Sequence, residues 1–154
     1  LTADPVDLAD AEATVVTNLL GPIRLTAALL PQLQRQSRAA VVNMTSGLAF
    51  VPLALTPTYS ATKVALHSYS QSLRHQLRKT PVEVIEIAPP AVRTDLMASS
   101  RGNPNAMDLA PFIAEVMALL AAGGEEVLVD HVKRLRFAEA DGSFAGVFGM
   151  LNPA

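Results

Sequence analysis

The sequence predicts an α/β fold with a parallel β-sheet and helices on both of its faces. Segments with apolar residues at helical spacing alternate with short, mostly apolar runs along most of the chain, in the order helix, strand, helix, strand, helix, strand. Strands that alternate with helices pair in parallel, because each helix carries the chain back across the sheet. The 154 residues are about the length of one domain, so we expect a single domain over residues 1–154.

Each expected element is bounded by residues that favour helix starts, helix ends or turns. Asp10, Thr56 and Asp108 can cap the three longer helices. Pro22 and Pro31 lie inside the first helical pattern and are expected to disturb it locally, because proline lacks an N–H donor. The expected elements are helices over 10–36, 57–79 and 109–122 with a short helix after 130, strands over 39–45, 82–88 and 127–129, a long loop over 91–107, and an irregular tail from 141.

The composition excludes several classes of function. Twelve basic residues against fourteen acidic ones give a net charge of −2 and no broad basic face, which argues against nucleic acid as a partner. The chain has no cysteine, and its three histidines show no ligand-like spacing with carboxylates, so no metal site is expected. Unbroken apolar runs are far shorter than the ~18 residues that span a bilayer, and no signal peptide is visible. We therefore expect a cytoplasmic protein without a membrane partner.

Polar side chains follow the predicted strands at the edge where parallel α/β sheets bind ligands. Ser46 directly follows the first strand, and Tyr59 and Lys63 lie four residues apart on one face of the next helix. A free phenol has a pKa near ~10, but a neighbouring ammonium lowers that pKa toward neutrality. Such a phenol can pass a proton to or from a substrate oxygen that Ser46 holds. An ordinary surface helix would show the same Tyr-x-x-x-Lys spacing, so the pair alone indicates little.

Four segments occur together in a characteristic order. Asn18-Leu19-Leu20-Gly21 opens the series, with Asn18 lying 28 residues before Ser46. Asn43-Met44-Thr45-Ser46 is followed by Tyr59-Ser60-Ala61-Thr62-Lys63, with Tyr59 lying 13 residues after Ser46. Ile87-Ala88-Pro89-Pro90-Ala91-Val92-Arg93-Thr94 closes the series after the next strand. Over about residues 10–130 the chain thus resembles the short-chain dehydrogenase/reductase family. The resemblance implies a doubly wound, Rossmann-like sheet and an oxidoreductase that uses NAD or NADP to interconvert an alcohol and a carbonyl.

The resemblance also implies residue roles. Tyr59 would be the general acid/base, Ser46 would orient the substrate oxygen, and Lys63 would lower the pKa of Tyr59 and hold the ribose hydroxyls of the cofactor. Asn18 would bind a water in a proton relay that reaches Lys63. The residues implied at the cofactor, besides Tyr59 and Lys63, are Pro89, Val92 and Thr94. The family also implies a small-molecule carbonyl or alcohol substrate and a homodimer or homotetramer, and the apolar loop 48–55 favours a hydrophobic substrate.

The sequence departs from the family pattern in two respects. Pro90 stands where the family usually has Gly, and because proline fixes φ and lacks an N–H, we expect a reshaped nicotinamide pocket. No Gly-rich turn opens a helix to seat a pyrophosphate. We therefore expect the chain, which opens with Leu1, to correspond to the catalytic carboxy-terminal portion of the domain, without the amino-terminal nucleotide-binding strands. At roughly 30 residues per βαβ unit, roughly 80–100 residues would be absent.

Two functions stay open at this point. The first is an NAD- or NADP-dependent oxidoreductase with Tyr59 as general acid/base. The alternative is an inactive truncated fragment or self-association module that does not bind cofactor alone, in which helices 10–36 and 57–79 pair between copies.

Overall fold

A computed structural model describes residues 8–95 and 102–153, and it confirms the α/β prediction. The elements are α1 (Leu8–Val15), a π-helical turn (Val16–Leu20), α2 (Gly21–Leu33), β1 (Ala39–Met44), a 3-10 turn (Gly47–Ala49), α3 (Pro57–Leu77), β2 (Val82–Ile87), α4 (Leu109–Ala122), β3 (Glu126–Val127), α5 (Asp130–Arg136) and α6 (Phe144–Leu151).

The three strands form one parallel sheet in the order β1-β2-β3. Ala39 of β1 pairs with Val82 of β2, and the register continues to Met44 beside Ile87. β3 pairs with the end of β2 through two residues only. It begins one residue earlier than the predicted strand 127–129 and is one residue shorter. Among the described residues, β1 is therefore an edge strand.

Helices cover both faces of the sheet, as predicted. On one face, Leu73 and Leu77 of α3 pack against Val82 and Val84 of β2, together with partly buried residues of α2 and β1. On the other face, a second cluster joins Ile87 to the α4, β3 and α5 region. Its buried members are Ile87, Val116, Val127, Val129 and Val132. The alternation of inward side chains along β2 thus divides the core into two layers.

One face of β1 lacks such a cover in the described part of the chain. Val42 and Met44 lie beside Ile85 and Ile87 in the register, and so share the α4 side of the sheet. Their side chains are nevertheless 47% and 48% exposed. An apolar strip along the edge strand is therefore open to solvent.

The first helix is interrupted by the π turn immediately before Pro22, which confirms the predicted disturbance. The N–H of Gly21 donates to the carbonyl of Val16, five residues back. Pro22 has no N–H to offer the carbonyl of Asn18, so regular α-helical bonding cannot continue there. The helix begins at Leu8 among the described residues, so Asp10 lies within its first turn and the prediction of Asp10 as N-cap was wrong. It ends at Leu33 instead of residue 36.

The other predicted caps are correct in position but not in bonding. Thr56 precedes α3 and Asp108 precedes α4, yet neither side chain makes a capping hydrogen bond. Asp108 Oδ1 instead accepts a hydrogen bond from Arg93 Nε at 2.7 Å. Gly123 ends α4 with a φ of 82°, which confirms its predicted role, because such a φ strains residues that carry a Cβ.

The expectation of an irregular tail from residue 141 was wrong. Phe144, Val147, Phe148 and Leu151 recur at helical spacing, and they form one face of α6. Val147 is buried against Val51 and Ala138, and the other three residues of this face pack around them. Two glycines in this helix hid its period, because glycine is a weak helix former.

The helical segment 8–33 is long and apolar enough to cross a membrane, by length and composition alone. The sequence prediction considered only unbroken apolar runs and therefore missed this segment, in which Arg24 is the only charged residue after Glu12. Signal sequences and core helices of other proteins pass the same test, so the absence of a membrane partner stays a prediction.

Candidate active site

Ser46 lies where the chain leaves the sheet at the carboxyl end of β1. Its backbone is extended, and its Oγ accepts a hydrogen bond from the N–H of Leu48 at 3.1 Å. This bond caps the 3-10 turn and occupies one lone pair of the hydroxyl, so that its proton can be donated elsewhere. The next N–H, that of Gly47, donates to the carbonyl of Pro89 at 2.8 Å. The ends of β1 and β2 are thereby joined beside Ser46.

Tyr59 and Lys63 lie one turn apart at the start of α3, next to Ser46. Lys63 Nζ donates to the carbonyl of Met44 at 2.9 Å and lies 5.4 Å from the centre of the Tyr59 ring. The side chain of Ser46 is a hydrogen-bonding neighbour of Tyr59 and acts to lower the pKa of its phenol. The structure therefore brings together three of the predicted site residues.

Burial controls the acid–base properties of this pair. Burial raises the pKa of Tyr59 above its ordinary value of 10.0, while the hydrogen bond with Ser46 acts in the lowering direction. Burial lowers the pKa of Lys63 below its ordinary value of 10.5. Burial thus raises the pKa of Tyr59 by more than Ser46 lowers it. The net shift of this pKa is upward, opposite to the downward shift that the sequence predicted from the Lys63 ammonium.

The π turn brings Asn18 against the same turn of α3. Asn18 Nδ2 donates to Thr62 Oγ1 at 3.3 Å, and the Thr62 hydroxyl donates to the carbonyl of Tyr59 at 2.7 Å. Thr62 directly precedes Lys63, so Asn18 lies near the predicted site without a recorded bond to the ammonium. Sequence reasoning missed Thr62, which is the residue that Asn18 contacts.

The three further residues predicted at the cofactor lie in the segment that follows β2. Pro89 is bonded beside Ser46, whereas Val92 forms an isolated parallel bridge with Met107, and Thr94 is partly buried. No non-glycine residue in the described ranges has a positive φ, so Pro90 occupies a backbone conformation that proline accepts. The effect of Pro90 on a nicotinamide pocket stays a prediction.

A buried ionic cluster below Ser46 was missed at the sequence level. Glu86 is 1% exposed, and its carboxylate lies 2.8 Å from Nδ1 of His67 on α3. The sequence did contain a signal: Glu86 shares the inward face of β2 with Val82 and Val84, where a charged residue requires partners. His67 lies one turn after Lys63 on the same helix face.

The cluster has the donor spacing of a metal site but not its chemistry. One donor atom each from His67, Glu86 and Glu126 lie within 4.8 Å of one another. Both oxygens of Glu126, however, accept from Arg136, at 2.8 and 3.0 Å, and Glu86 Oε1 accepts from Thr45 Oγ1 at 2.7 Å. Because the guanidinium already supplies the positive charge, the donors fit an ion-paired cluster and not a cation site.

A second missed residue, Asn152, holds the loop between Ser46 and Tyr59. Its Oδ1 accepts from the N–H of Ala54 at 2.6 Å, and its Nδ2 donates to the carbonyl of Pro52 at 3.1 Å. These bonds span about a hundred residues of sequence, so no local pattern could have revealed them. The end of α6 is thereby attached to one wall of the candidate site.

Comparisons with known proteins identify the family and the fold. A sequence model of a family described as short chain dehydrogenase matches residues 2–105. An oxidoreductase of Bacillus subtilis, named DltE and called uncharacterized, is 45% identical over 125 residues, which cover 79% of this chain and 50% of the relative.

Two solved structures show the same fold. A short chain dehydrogenase of Burkholderia cenocepacia in complex with NADP matches with a TM-score of 0.83 at 24% identity, covering 97% of this chain and 64% of that one. A metagenomic short-chain oxidoreductase in complex with NADP matches with a TM-score of 0.62 at 29% identity, covering 80% of this chain and 52% of that one. The chain thus spans about half the length of its Bacillus relative and less than two thirds of these structures.

Proposed function

Because the chain belongs to the short chain dehydrogenase family, we propose that it is the catalytic carboxy-terminal portion of an NAD- or NADP-dependent oxidoreductase. The reaction would interconvert a small alcohol and its carbonyl, with Tyr59 as general acid/base. The observation that carries the proposal is the meeting of Tyr59, Ser46 and Lys63 at the carboxyl edge of the parallel sheet, where α/β proteins bind ligands.

Tyr59 moves the proton in this proposal. In the reductive direction its phenol gives a proton to the substrate oxygen, and in the oxidative direction the phenolate takes that proton back. A phenol is protonated at neutral pH at its ordinary pKa of 10.0, and burial raises the pKa of Tyr59 further, which suits the donor role. The Ser46 hydroxyl, whose oxygen accepts from Leu48, can donate its proton to the same substrate oxygen and so orient it.

Lys63 would hold the cofactor and the phenol together. The ammonium has three N–H donors, and the carbonyl of Met44 takes one of them. The remaining donors suit the ribose hydroxyls of a nicotinamide cofactor, which when bound supplies or accepts the hydride at the substrate carbon. Asn18, whose Nδ2 donates to Thr62 Oγ1, would bind a water of a relay that ends at Lys63.

The residues present fit the nicotinamide-ribose end of such a cofactor better than its other end. Pro89, Val92 and Thr94 follow β2 at the same edge and would line the nicotinamide side. The sequence holds no Gly-rich turn for the pyrophosphate. The choice between NAD and NADP is therefore left open.

The substrate and the setting are proposed more broadly. Loop residues 48–55 are mostly apolar and lie between Ser46 and Tyr59, which favours a hydrophobic alcohol or ketone. Val51 of this loop is fully buried in the α6 core, whereas Leu55 is 79% exposed and available for contact. We propose a cytoplasmic homodimer or homotetramer that binds neither nucleic acid nor membrane.

Replacing Tyr59 by Phe tests the proposal. Loss of a positioned general acid typically costs about 10²–10⁴ in rate, so Tyr59→Phe should lower kcat by at least about 10² with an unchanged melting temperature. The assay follows nicotinamide absorbance with NADPH or NADH and an aryl alkyl ketone. The matched control is Tyr69→Phe, which alters the other tyrosine of the chain and should keep the parental rate. Parental turnover by Tyr59→Phe would refute the role of Tyr59.

One observation favours the alternative, an inactive fragment or self-association module. In the described part of the chain, the strip of Val42 and Met44 is uncovered and the outer edge of β1 is unpaired, and such surfaces favour association. Helices α2 and α3 also expose Leu25, Leu29 and Val64, which could pair between copies. Titration with NADPH and NADH, followed by nicotinamide fluorescence, separates the readings. Binding supports the enzyme, whereas no binding combined with a dimer in sedimentation supports the module.

A further inference from the structure

A buried layer lies directly beneath the candidate reacting pair. Thr45, the residue before Ser46, is 2% exposed. Its hydroxyl donates to Glu86 Oε1 at 2.7 Å, and its N–H donates to the carbonyl of Ile87 at 2.8 Å. The backbone that leads to Ser46 is therefore bonded to β2 twice, through the side chain and through the main-chain N–H of Thr45.

The same carboxylate also reaches the helix that carries Tyr59. Nδ1 of His67 lies 2.9 and 2.8 Å from the two oxygens of Glu86. His67 follows Lys63 by one turn and Tyr59 by two turns, so these residues share one face of α3. The buried carboxylate thus connects the segment that leads from β1 to Ser46 with the helix that begins near Tyr59.

The surroundings hold His67 in this orientation. The ring of Phe50, in the loop after Ser46, meets the His67 ring edge-on, with centroids 5.0 Å apart and an interplanar angle of 77°. The guanidinium of Arg136 lies over the ring of Phe50, 4.8 Å from its centroid, and is itself paired with Glu126. The charged and titratable groups close to Glu86 are therefore His67, Arg136 and Glu126.

A buried carboxylate is costly unless every oxygen has a partner. Thr45 and His67 satisfy Glu86 from two different elements, so any shift of β1 relative to α3 breaks at least one of these bonds. Because both partners are required, the carboxylate of Glu86 fixes the distance between β1 and α3.

We propose that Thr45, Glu86 and His67 are positioning residues that hold Ser46 within hydrogen-bonding distance of Tyr59. The inference rests on the proposed function in taking Ser46 and Tyr59 as the reacting pair. None of the three residues contacts the reacting atoms; they act through the backbone of β1 and the placement of α3.

The bond between Ser46 and Tyr59 can be observed without turnover. It lowers the pKa of Tyr59, so its loss should raise the apparent pKa of that phenol further. The chain has only two tyrosines, so labelling with ring-carbon-13 tyrosine gives two Cζ resonances, of which Tyr59→Phe removes one and thereby assigns both. The Tyr69 resonance reports that the fold is kept. For variants that unfold in alkali, the Cζ chemical shift of Tyr59 at neutral pH reports the hydrogen bond instead of the pKa.

Thr45→Val is the first test, because it preserves shape and removes only the hydroxyl. We expect the Tyr59 pKa to rise and its Cζ shift to move, with the Tyr69 resonance unchanged. The matched control is Ser70→Ala, which removes another buried hydroxyl that also joins α3 to β1, through Asn43 at 2.9 Å, but does not bond to Glu86. The control should leave the Tyr59 signal where it is in the parent.

Replacement of Glu86 gives the second test. Glu86→Gln keeps an oxygen that accepts from Thr45 and should preserve the parental Tyr59 signal, whereas Glu86→Leu should reproduce the effect of Thr45→Val. An unchanged Tyr59 signal in both Thr45→Val and Glu86→Leu would overturn the proposal, as would an equal displacement in Ser70→Ala. Since no cofactor or substrate is used, a failure of the proposed oxidoreductase activity leaves this result independent.

Discussion

At the residue scale, burial decides how Tyr59 and Lys63 behave. The helix spacing places the two side chains together, as the sequence predicted, and burial raises the pKa of Tyr59 while it lowers that of Lys63. Burial thus favours the neutral form of both groups, because the loss of solvent destabilises a phenolate and an ammonium alike. Burial, and not the ammonium, therefore sets the direction in which the pKa of the phenol moves.

The raised pKa of Tyr59 has a consequence for stability in alkali. Above pH 10.0 the unfolded chain releases the phenol proton while the folded chain retains it, so the folded state loses stability as pH rises through this range. We expect the free energy of unfolding of Tyr59→Phe to fall less steeply above pH 10 than that of the parent. Urea unfolding followed by circular dichroism at several pH values measures this slope.

Ser46→Ala provides a control of opposite sign. It removes the bond that lowers the pKa of Tyr59, so the folded phenol should hold its proton still more firmly and the slope should steepen. Equal slopes in the parent, Tyr59→Phe and Ser46→Ala would contradict the burial of the phenol.

Sequence patterns located the candidate site residues but not the buried groups that lie beneath them. Ser46, Tyr59 and Lys63 are close in sequence and belong to recognisable local segments, so order and spacing were sufficient. Thr45 and Glu86 lie 41 residues apart and meet only through the parallel register of β1 and β2. That register follows from packing of the whole sheet and cannot be read from either segment alone.

At the element scale, α6 shows how composition can hide a helix. Its apolar face is formed by Phe144, Val147, Phe148 and Leu151, but Gly146 and Gly149 lower the helical propensity between them. The helix exists because this face packs on Val51 and Ala138, so tertiary contacts compensate for weak local preference.

Gly146→Ala should therefore stabilise the chain. A Cβ at this position meets no atom within 4 Å, and replacing glycine by alanine inside a helix typically contributes about 0.5–1 kcal/mol. Thermal unfolding measures the gain. The matched control is Gly142→Ala, where space is equally open but φ is +70°, so a loss of roughly 1 kcal/mol is expected. A gain in both variants, or in neither, would contradict the backbone assignment.

At the scale of the whole molecule, the described sheet has a complete interior but an open border. Two layers of side chains cover β2 on both faces, whereas β1 has an unpaired edge and an uncovered apolar strip. The fold class could be predicted because alternating helices and strands specify it. The exposed edge of β1 depends on which strands pair in the sheet, and this cannot be predicted from composition.

The strip should make the 154-residue chain associate with itself. Replacing both Val42 and Met44 by Lys should reduce association and binding of an apolar dye, since lysine on an edge strand opposes pairing. Surface substitutions usually alter stability by no more than about 0.5 kcal/mol, so unfolding should be nearly unchanged. Sedimentation velocity at several concentrations gives the measurement. Leu25→Lys on α2 is the comparison, and a stronger effect of that change would place the contact on the helices.

The π turn ahead of Pro22 sets the angular phase of the first helical segment. Its wider turn, closed from Gly21 to Val16, contains one residue more than an α-helical turn, and one residue corresponds to about 100° of rotation. The side chains of α1 are therefore offset by that angle from the positions that the period of α2 would give them. Deleting one residue between 16 and 20 would remove the extra residue of the wide turn and would rotate either α1 or Asn18 away from α3. The phase of this helix, and not its hydrophobicity, is what places Asn18 against Thr62.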